Sequence, residues 1–210
     1  MTVDLYCFAQ SGNAYKVANY LNVAGVPWTE HFVDFFNGEA RSPEFREINP
    51  MGEVPVLVDG DLTLTQSGVI LDYLIDKTGI YATQKGDERE VLRWILWDNH
   101  KGSSQFGVTR FMINLLPEKM RNDDVNSFLL GRSKAALQVL NTHLEGRNWM
   151  VGNAPTAADF SCSSYLFFDE PFGMDRSKLP HIEAWLKNIR QLPNWKHPYD
   201  LMQGHPLPRT

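Results

Sequence analysis

The sequence predicts a small α/β domain followed by an all-helical domain. Three observations carry that expectation. Strand-like and helix-like segments alternate over roughly the first 80 residues, strand signals vanish after Ala82, and long amphipathic helical patterns fill the remainder. The expected division is a first domain over residues 1–80 and a second over 88–210, with the linker near 79–88.

Each element has a local reason. "VDLYCF" is a short β-rich run, and the small polar cluster "AQSGN" ends it. Val17, Tyr20, Leu21 and Ala24 then recur at helical spacing until Gly25. "WTEHFVDF" alternates as a half-buried strand does. "SPEFREINP" reads as a helical turn with Ser42 as cap and Pro43 at its first position. "VPVLVDG" and "LTLT" form a hairpin about Asp59-Gly60-Asp61. Ile70, Leu71, Leu74 and Ile75 mark another helix, stopped by Gly79. The predicted order is β-α-β-α-β-β-α. Beyond it, "EREVLRWILWDNHKGSSQFGVTRFMINLLP" is one helix or two, weakened at Gly102 and Gly107, and "DDVNSFLLGRSKAALQVLNTHLEG" is a second long one. In "APTAADFSCSSYLFF", Thr156 and Asp159 have capping-box spacing, an architectural signal.

Composition narrows the function classes. The chain has 210 residues, 43% of them hydrophobic, and a formal net charge of −5 with dispersed Lys and Arg, which argues against a nucleic-acid surface. No uncharged apolar window reaches the roughly 18 residues of a membrane span. "MTVDLYCF" lacks the basic and apolar regions of a signal peptide. Cys7 and Cys162 are far apart and have no metal spacing, so a reduced, cytoplasmic setting with free thiols is expected.

One stretch resists a purely architectural reading. In "NPMGEVPVLVDG", Pro55 interrupts an apolar run, and proline has no N–H to give to a ladder. Either the strand simply starts at Pro55, or the residue before it keeps its backbone groups for a partner that is not protein.

Four separated motifs, "LYCFAQSGNAYKV", "NPMGEVPVL", "LTQSGVILDYL" and "TAAD", together resemble the cytosolic glutathione transferase family, in order and over nearly the whole chain. The Ser11-Gly12-Asn13 turn is similar to that of bacterial members with a Ser-x-Asn turn. The resemblance implies a thioredoxin-like first domain, a helical-bundle second domain contributing the electrophile pocket, and a homodimer. It implies a cis Val54–Pro55 bond, with the Val54 backbone pairing with the cysteinyl part of glutathione. Glu53 lies beside it, facing solvent or the ligand's rim.

The chemistry of glutathione suits these residue types. Ser67 opens a helix, so its hydroxyl and N–H suit the γ-Glu carboxylate. Gln66 stands where the family commonly has an acidic residue and offers an amide to the ligand's amine. Thiols titrate near pH 8.5, so a donor aimed at sulfur is needed to favour the thiolate. Ser11 and Asn13 are the two candidates for that catalytic role. Tyr6 reads as core or wall, and Arg41 as a solvated charge or a partner for the glycyl carboxylate. For the electrophile pocket the expected residues are Phe106, Arg110 and Phe111, among aromatics at helical spacing that are also core candidates.

The expected activity is conjugation of the glutathione thiolate to hydrophobic electrophiles, with glutathione as co-substrate and no permanent cofactor or metal. The alternatives are a glutathione-dependent disulfide reductase or peroxidase, and a non-catalytic binding module.

Overall fold

A computed structural model of the chain describes residues 2–170, 172 and 175–204. They divide into two compact units, one running to Ala82 and resuming at Leu192, the other spanning Thr83–Gln191.

The first unit holds a four-stranded mixed sheet with helices, the thioredoxin-like arrangement. Its elements are β1 (Val3–Cys7), α1 (Gly12–Val23), β2 (Trp28–Phe32), α2 (Pro43–Ile48), β3 (Val56–Asp59), β4 (Leu62–Thr65) and α3 (Ser67–Thr78). The predicted β-α-β-α-β-β-α order is the observed one. The strands lie in the order β2-β1-β3-β4. β1 runs parallel to β2 and antiparallel to β3, which in turn pairs antiparallel with β4. Along β1 the burial alternates with the pleat: Val3, Leu5 and Cys7 are buried on one face. On the other face, Tyr6 packs against a cluster of Val33, Ala40, Phe45 and Val56. Phe45 reaches that cluster from α2, whose start is fixed by Pro43 and by Ser42 Oγ accepting from the Phe45 N–H at 3.1 Å.

The segment from Leu192 differs from the expected division, which placed it in the helical half. It belongs to the first unit because its backbone is bonded there. Tyr15 Oη donates to the Lys196 carbonyl at 2.8 Å, and the Ala9 N–H donates to the Gln203 carbonyl at 2.7 Å. A sequence pattern shows that such a segment is helical or irregular, but not which surface takes its polar groups.

The second unit is helical: α4 (Glu88–Trp97), α5 (Ser103–Arg110), α6 (Asp123–His143), α7 (Ala157–Ser163) and α8 (Pro180–Arg190), while α9 (Pro198–Leu201) lies with the first unit. The choice between one helix and two over residues 88–115 resolves into a continuous helical path with two wide π turns, Asp98–Gly102 and Phe111–Leu115. Asp98 shows why the first turn widens. Its buried carboxylate accepts from the Ser103 N–H at 3.0 Å and hydroxyl at 2.8 Å, and from Ser161 Oγ at 2.7 Å. Gly107 is a packing requirement, since a Cβ there would lie 2.8 Å from the Tyr165 ring.

The capping box at Thr156 and Asp159 is present with both of its bonds. Asp159 is 1% exposed and does more than cap. It accepts from the Met150 N–H, the Thr156 N–H and Trp185 Nε1, each at 2.8 Å. Burial outweighs those donors and pushes its carboxyl up to about 6.

Candidate functional site

Strand register assembles the candidate residues. Tyr6 on β1 faces Val56 on β3, and Val56 faces Thr65 on β4. Continuing past that row, β1 runs on to the Ser11 turn, the chain entering β3 passes Val54 and Pro55, and β4 runs on to Gln66 and Ser67. All three segments leave the sheet at one end. With neighbouring strands about 4.8 Å apart, they begin side by side.

Ser11 is the N-cap of α1. Its N–H donates to the Phe8 carbonyl at 3.1 Å, and its Oγ accepts from the Ala14 N–H at 3.1 Å. That bond occupies an oxygen lone pair and leaves the hydroxyl proton able to donate elsewhere. Asn13, two residues on in the first turn of α1, is half-buried, and among the described residues its amide has no hydrogen-bond partner.

The stretch from Asn49 to Val54 is held from within. Asn49 is 1% exposed; its Nδ2 donates to the Glu53 carbonyl at 2.7 Å, and its Oδ1 accepts from the Met51 N–H at 3.1 Å. Gly52 has φ +65°, and a Cβ on it would meet the Ala40 carbonyl oxygen at 2.7 Å, so the loop passes the turn at Glu39–Arg41 only without a side chain there. The Val54–Pro55 peptide bond is cis. The ladder begins after it, at Val56. Among the described residues, neither the N–H nor the carbonyl of Val54 has a hydrogen-bond partner. Glu53 is exposed and Pro55 is buried.

Gln66 carries backbone strain. Its φ of 68° and ψ of 110° lie where non-glycine residues rarely go, at a cost of order 1–3 kcal/mol. The conformation turns the chain sharply from β4 into α3 and leaves the Gln66 amide exposed, with Nε2 donating to Met51 Sδ at 3.5 Å. Ser67 follows, 6% exposed, as the first residue of the twelve-residue α3. Its N–H belongs to the first turn, whose donors have no carbonyl partner within the helix. The end is suited to a carboxylate.

The residues expected to line an electrophile pocket behave differently. Phe106 is 1% exposed and packs against Phe172 with ring centroids 5.8 Å apart. Arg110 is also 1% exposed; its Nη2 donates to Glu170 Oε1 at 3.0 Å, its Nε to Oε2 at 3.2 Å, and its guanidinium lies 3.9 Å from the Phe168 ring centroid. Both are buried among protein partners, and helical spacing marks the buried face as readily as a pocket wall. Phe111 alone of the three is half-buried. A cavity of about 250 Å³ does open on this unit, between Trp97, Lys101, Gln105, Arg132 and Val139, and it contains none of the three.

Among the described residues both cysteines are buried thiols outside any disulfide, and burial beside Glu30 pushes the Cys7 thiol far above its ordinary range. Among the described residues, no group of three or more His, Cys, Asp or Glu side chains could hold a metal ion, and no helix is long and apolar enough to cross a membrane. Sequence reasoning missed Asn49. Its signal was faint: an Asn before Pro-x-Gly suggests a turn, not a buried clamp.

Comparison with known proteins places the chain. Residues 1–76 match the glutathione S-transferase N-terminal domain and residues 118–193 the C-terminal domain. A structure from Rhodopseudomonas palustris, described as a possible glutathione S-transferase, is 30% identical, with a TM-score of 0.81 over 93% of this chain and 97% of that one. The chain belongs to the glutathione S-transferase family. Among its relatives, the disulfide-bond oxidoreductase YfcG of Escherichia coli is 28% identical over 91% of each chain. A family member from Pseudomonas fluorescens, solved with two glutathione bound, is 26% identical, with a TM-score of 0.81 over 91% of this chain and 89% of that one.

Proposed function

We propose that the chain is a glutathione S-transferase that joins the glutathione thiolate to hydrophobic electrophiles. The observation that supports this most is the set of polar groups with spare capacity at one end of the sheet: the Ser11 hydroxyl proton, the Val54 N–H and carbonyl, and the first turn of α3 at Ser67. In this reading the γ-Glu carboxylate sits on Ser67 and the opening of α3, Gln66 orients the amine, and the cysteinyl backbone pairs with Val54 beside Pro55. Glu53 stands at the rim. Ser11 donates to the sulfur, aided by the positive end of α1, and Asn13 is the second donor within reach of the same turn.

The step is a simple displacement. The thiol gives its proton to water, the sulfur bonds to the electrophilic carbon, and the leaving group departs with the electron pair of the broken bond. Holding thiolate and electrophile together supplies the rest. The active form is a homodimer, which the apolar side chains exposed on α4 and α6 favour, among them Leu92, Leu96, Phe128 and Val139. Two buried thiols outside any disulfide favour a cytoplasmic setting.

A second reading rests on the relative named as a disulfide-bond oxidoreductase and the neighbour with two glutathione bound. Here the thiolate attacks a disulfide sulfur, expels a thiolate and leaves a mixed disulfide, which a second glutathione resolves to glutathione disulfide. Calorimetric titration with glutathione, followed by turnover of chlorodinitrobenzene and of a dialkyl disulfide, separates the readings. Conjugation predicts binding and faster aryl turnover; faster disulfide turnover selects the second, and binding without either turnover leaves only a binding module. Ser67→Ala is expected to weaken glutathione binding by about tenfold, the scale of one hydrogen bond to a charged group.

A further inference from the structure

Besides the residues above, the same end of the sheet carries a surface with no assigned role. β2 is parallel to β1, with Phe32 opposite Cys7, so the loop after β2 emerges beside the Ser11 turn. The strand order β2-β1-β3-β4 puts that loop on the opposite side of Ser11 from Ser67. It carries Phe35 and Phe36. Phe35 stacks on Phe8 with centroids 4.8 Å apart and planes at 15°, and Phe36 meets Phe35 at 5.7 Å and 90°. Phe8 is the residue whose carbonyl accepts from Ser11. Phe35 also packs against the cluster that Val54 joins. The three rings therefore stand next to both the proposed thiol donor and the proposed backbone contact.

The outer ring is held in place at the surface. Phe36 remains 41% exposed. The turn beneath it is fixed at several points: the Asp34 N–H donates to the Glu39 carboxylate at 2.5 Å, the Glu39 N–H donates to the Asp34 carbonyl at 3.1 Å, and Asn37 Nδ2 donates to Asp34 Oδ2 at 2.7 Å. The covered side of Phe36 packs edge-on against Phe8 and Phe35, its open side faces solvent, and a preorganised aromatic face of this kind lowers the ordering cost of binding a flat ligand.

Resting on the glutathione reading, we infer that Phe8, Phe35 and Phe36 form an aromatic platform that selects planar aryl electrophiles, with Phe36 as the specificity-determining contact. The aryl group stacks on the β2 side of the sulfur while the peptide is anchored on the β4 side. Phe36 and the half-buried Phe35 have surface to offer, with the buried Phe8 behind them.

Calorimetry with two stable conjugates tests it, S-(dinitrophenyl)glutathione and S-methylglutathione, on wild type and Phe36→Ala. The wild type is expected to prefer the aryl conjugate. Phe36→Ala should cut that preference by about three- to tenfold, the range of one aromatic contact, and leave S-methylglutathione affinity unchanged. Phe36→Trp, which keeps a ring, should retain the preference. An unchanged preference in Phe36→Ala overturns the platform, and so does an equal loss for both conjugates, which would assign the ring to the peptide. If S-methylglutathione fails to bind the wild type at all, the glutathione reading itself falls, and the platform with it.

Discussion

Two sets of polar groups, one in each unit, are treated in opposite ways. In the helical unit, Asp98, Asp159 and Arg110 are each buried to 1% and each is met by several protein partners. In the sheet-bearing unit, the groups at one sheet end are positioned by protein but not consumed by it. Asn49 spends its amide on fixing a loop, and the loop then presents Val54 with its backbone free among the described residues. The contrast shows how to tell a scaffold from a site. A satisfied polar network holds shape, whereas oriented groups with unused capacity imply a partner from outside.

The comparison can be broken most forcefully at Asp159. Asp159→Ala leaves the Met150 N–H, the Thr156 N–H and Trp185 Nε1 without their acceptor, and should cost about 3–5 kcal/mol of stability in denaturant unfolding, as other breaks of buried charged networks do. A loss under about 1 kcal/mol, the value of an ordinary exposed cap, would contradict the scaffold assignment. The same residue has a pH signature. Its carboxyl is raised from 3.8 to about 6, so the folded state holds the proton more tightly than the unfolded state does. The stability this gives is complete below the unfolded value and is lost as pH rises through about 6. Asp159→Asn cannot titrate, so wild-type stability measured relative to it should fall between pH 4 and pH 7 and then level off; a flat difference would remove the effect.

Asn49 sharpens the other side. Asn49→Ala removes two hydrogen bonds and should cost about 1–3 kcal/mol, and it should also weaken glutathione binding several-fold by loosening the Val54 backbone. Normal affinity in a destabilised variant would show that the loop does not position the ligand. The smallest effect is expected at Glu53, which is exposed. Glu53→Gln should change stability by less than about 0.5 kcal/mol in thermal unfolding.

Much of this contrast was legible in the sequence. Pro43, Ser42, Gly60 and the Thr156–Asp159 spacing act locally, so turns, caps and the hairpin follow from neighbouring residues alone. Val54, Gln66, Ser67 and Ser11 became candidates through the family resemblance; the proline at a strand's mouth and the small polar residues at helix starts by themselves mark only where the chain leaves regular structure. What stayed hidden depends on contacts between distant segments. The burial of Phe106 and Arg110 is decided by Phe172, Phe168 and Glu170, far along the chain. The exposed Phe36 looks like any core aromatic until the turn beneath it is seen. The placement of residues 192–204 is fixed by bonds to α1, β2 and the turn after β1, which no periodicity encodes.

The central claim is that the groups left open at this end of the sheet hold a glutathione thiolate, with Ser11 as its donor. Ultraviolet titration of the thiolate band of enzyme-bound glutathione, in wild type and Ser11→Ala, tests it most directly. The account predicts a bound thiol that ionises well below the free value of about 8.5 in the wild type and moves back toward it by about one unit or more in the variant. An unchanged titration in Ser11→Ala, or a wild-type bound thiol that ionises where free glutathione does, would contradict it.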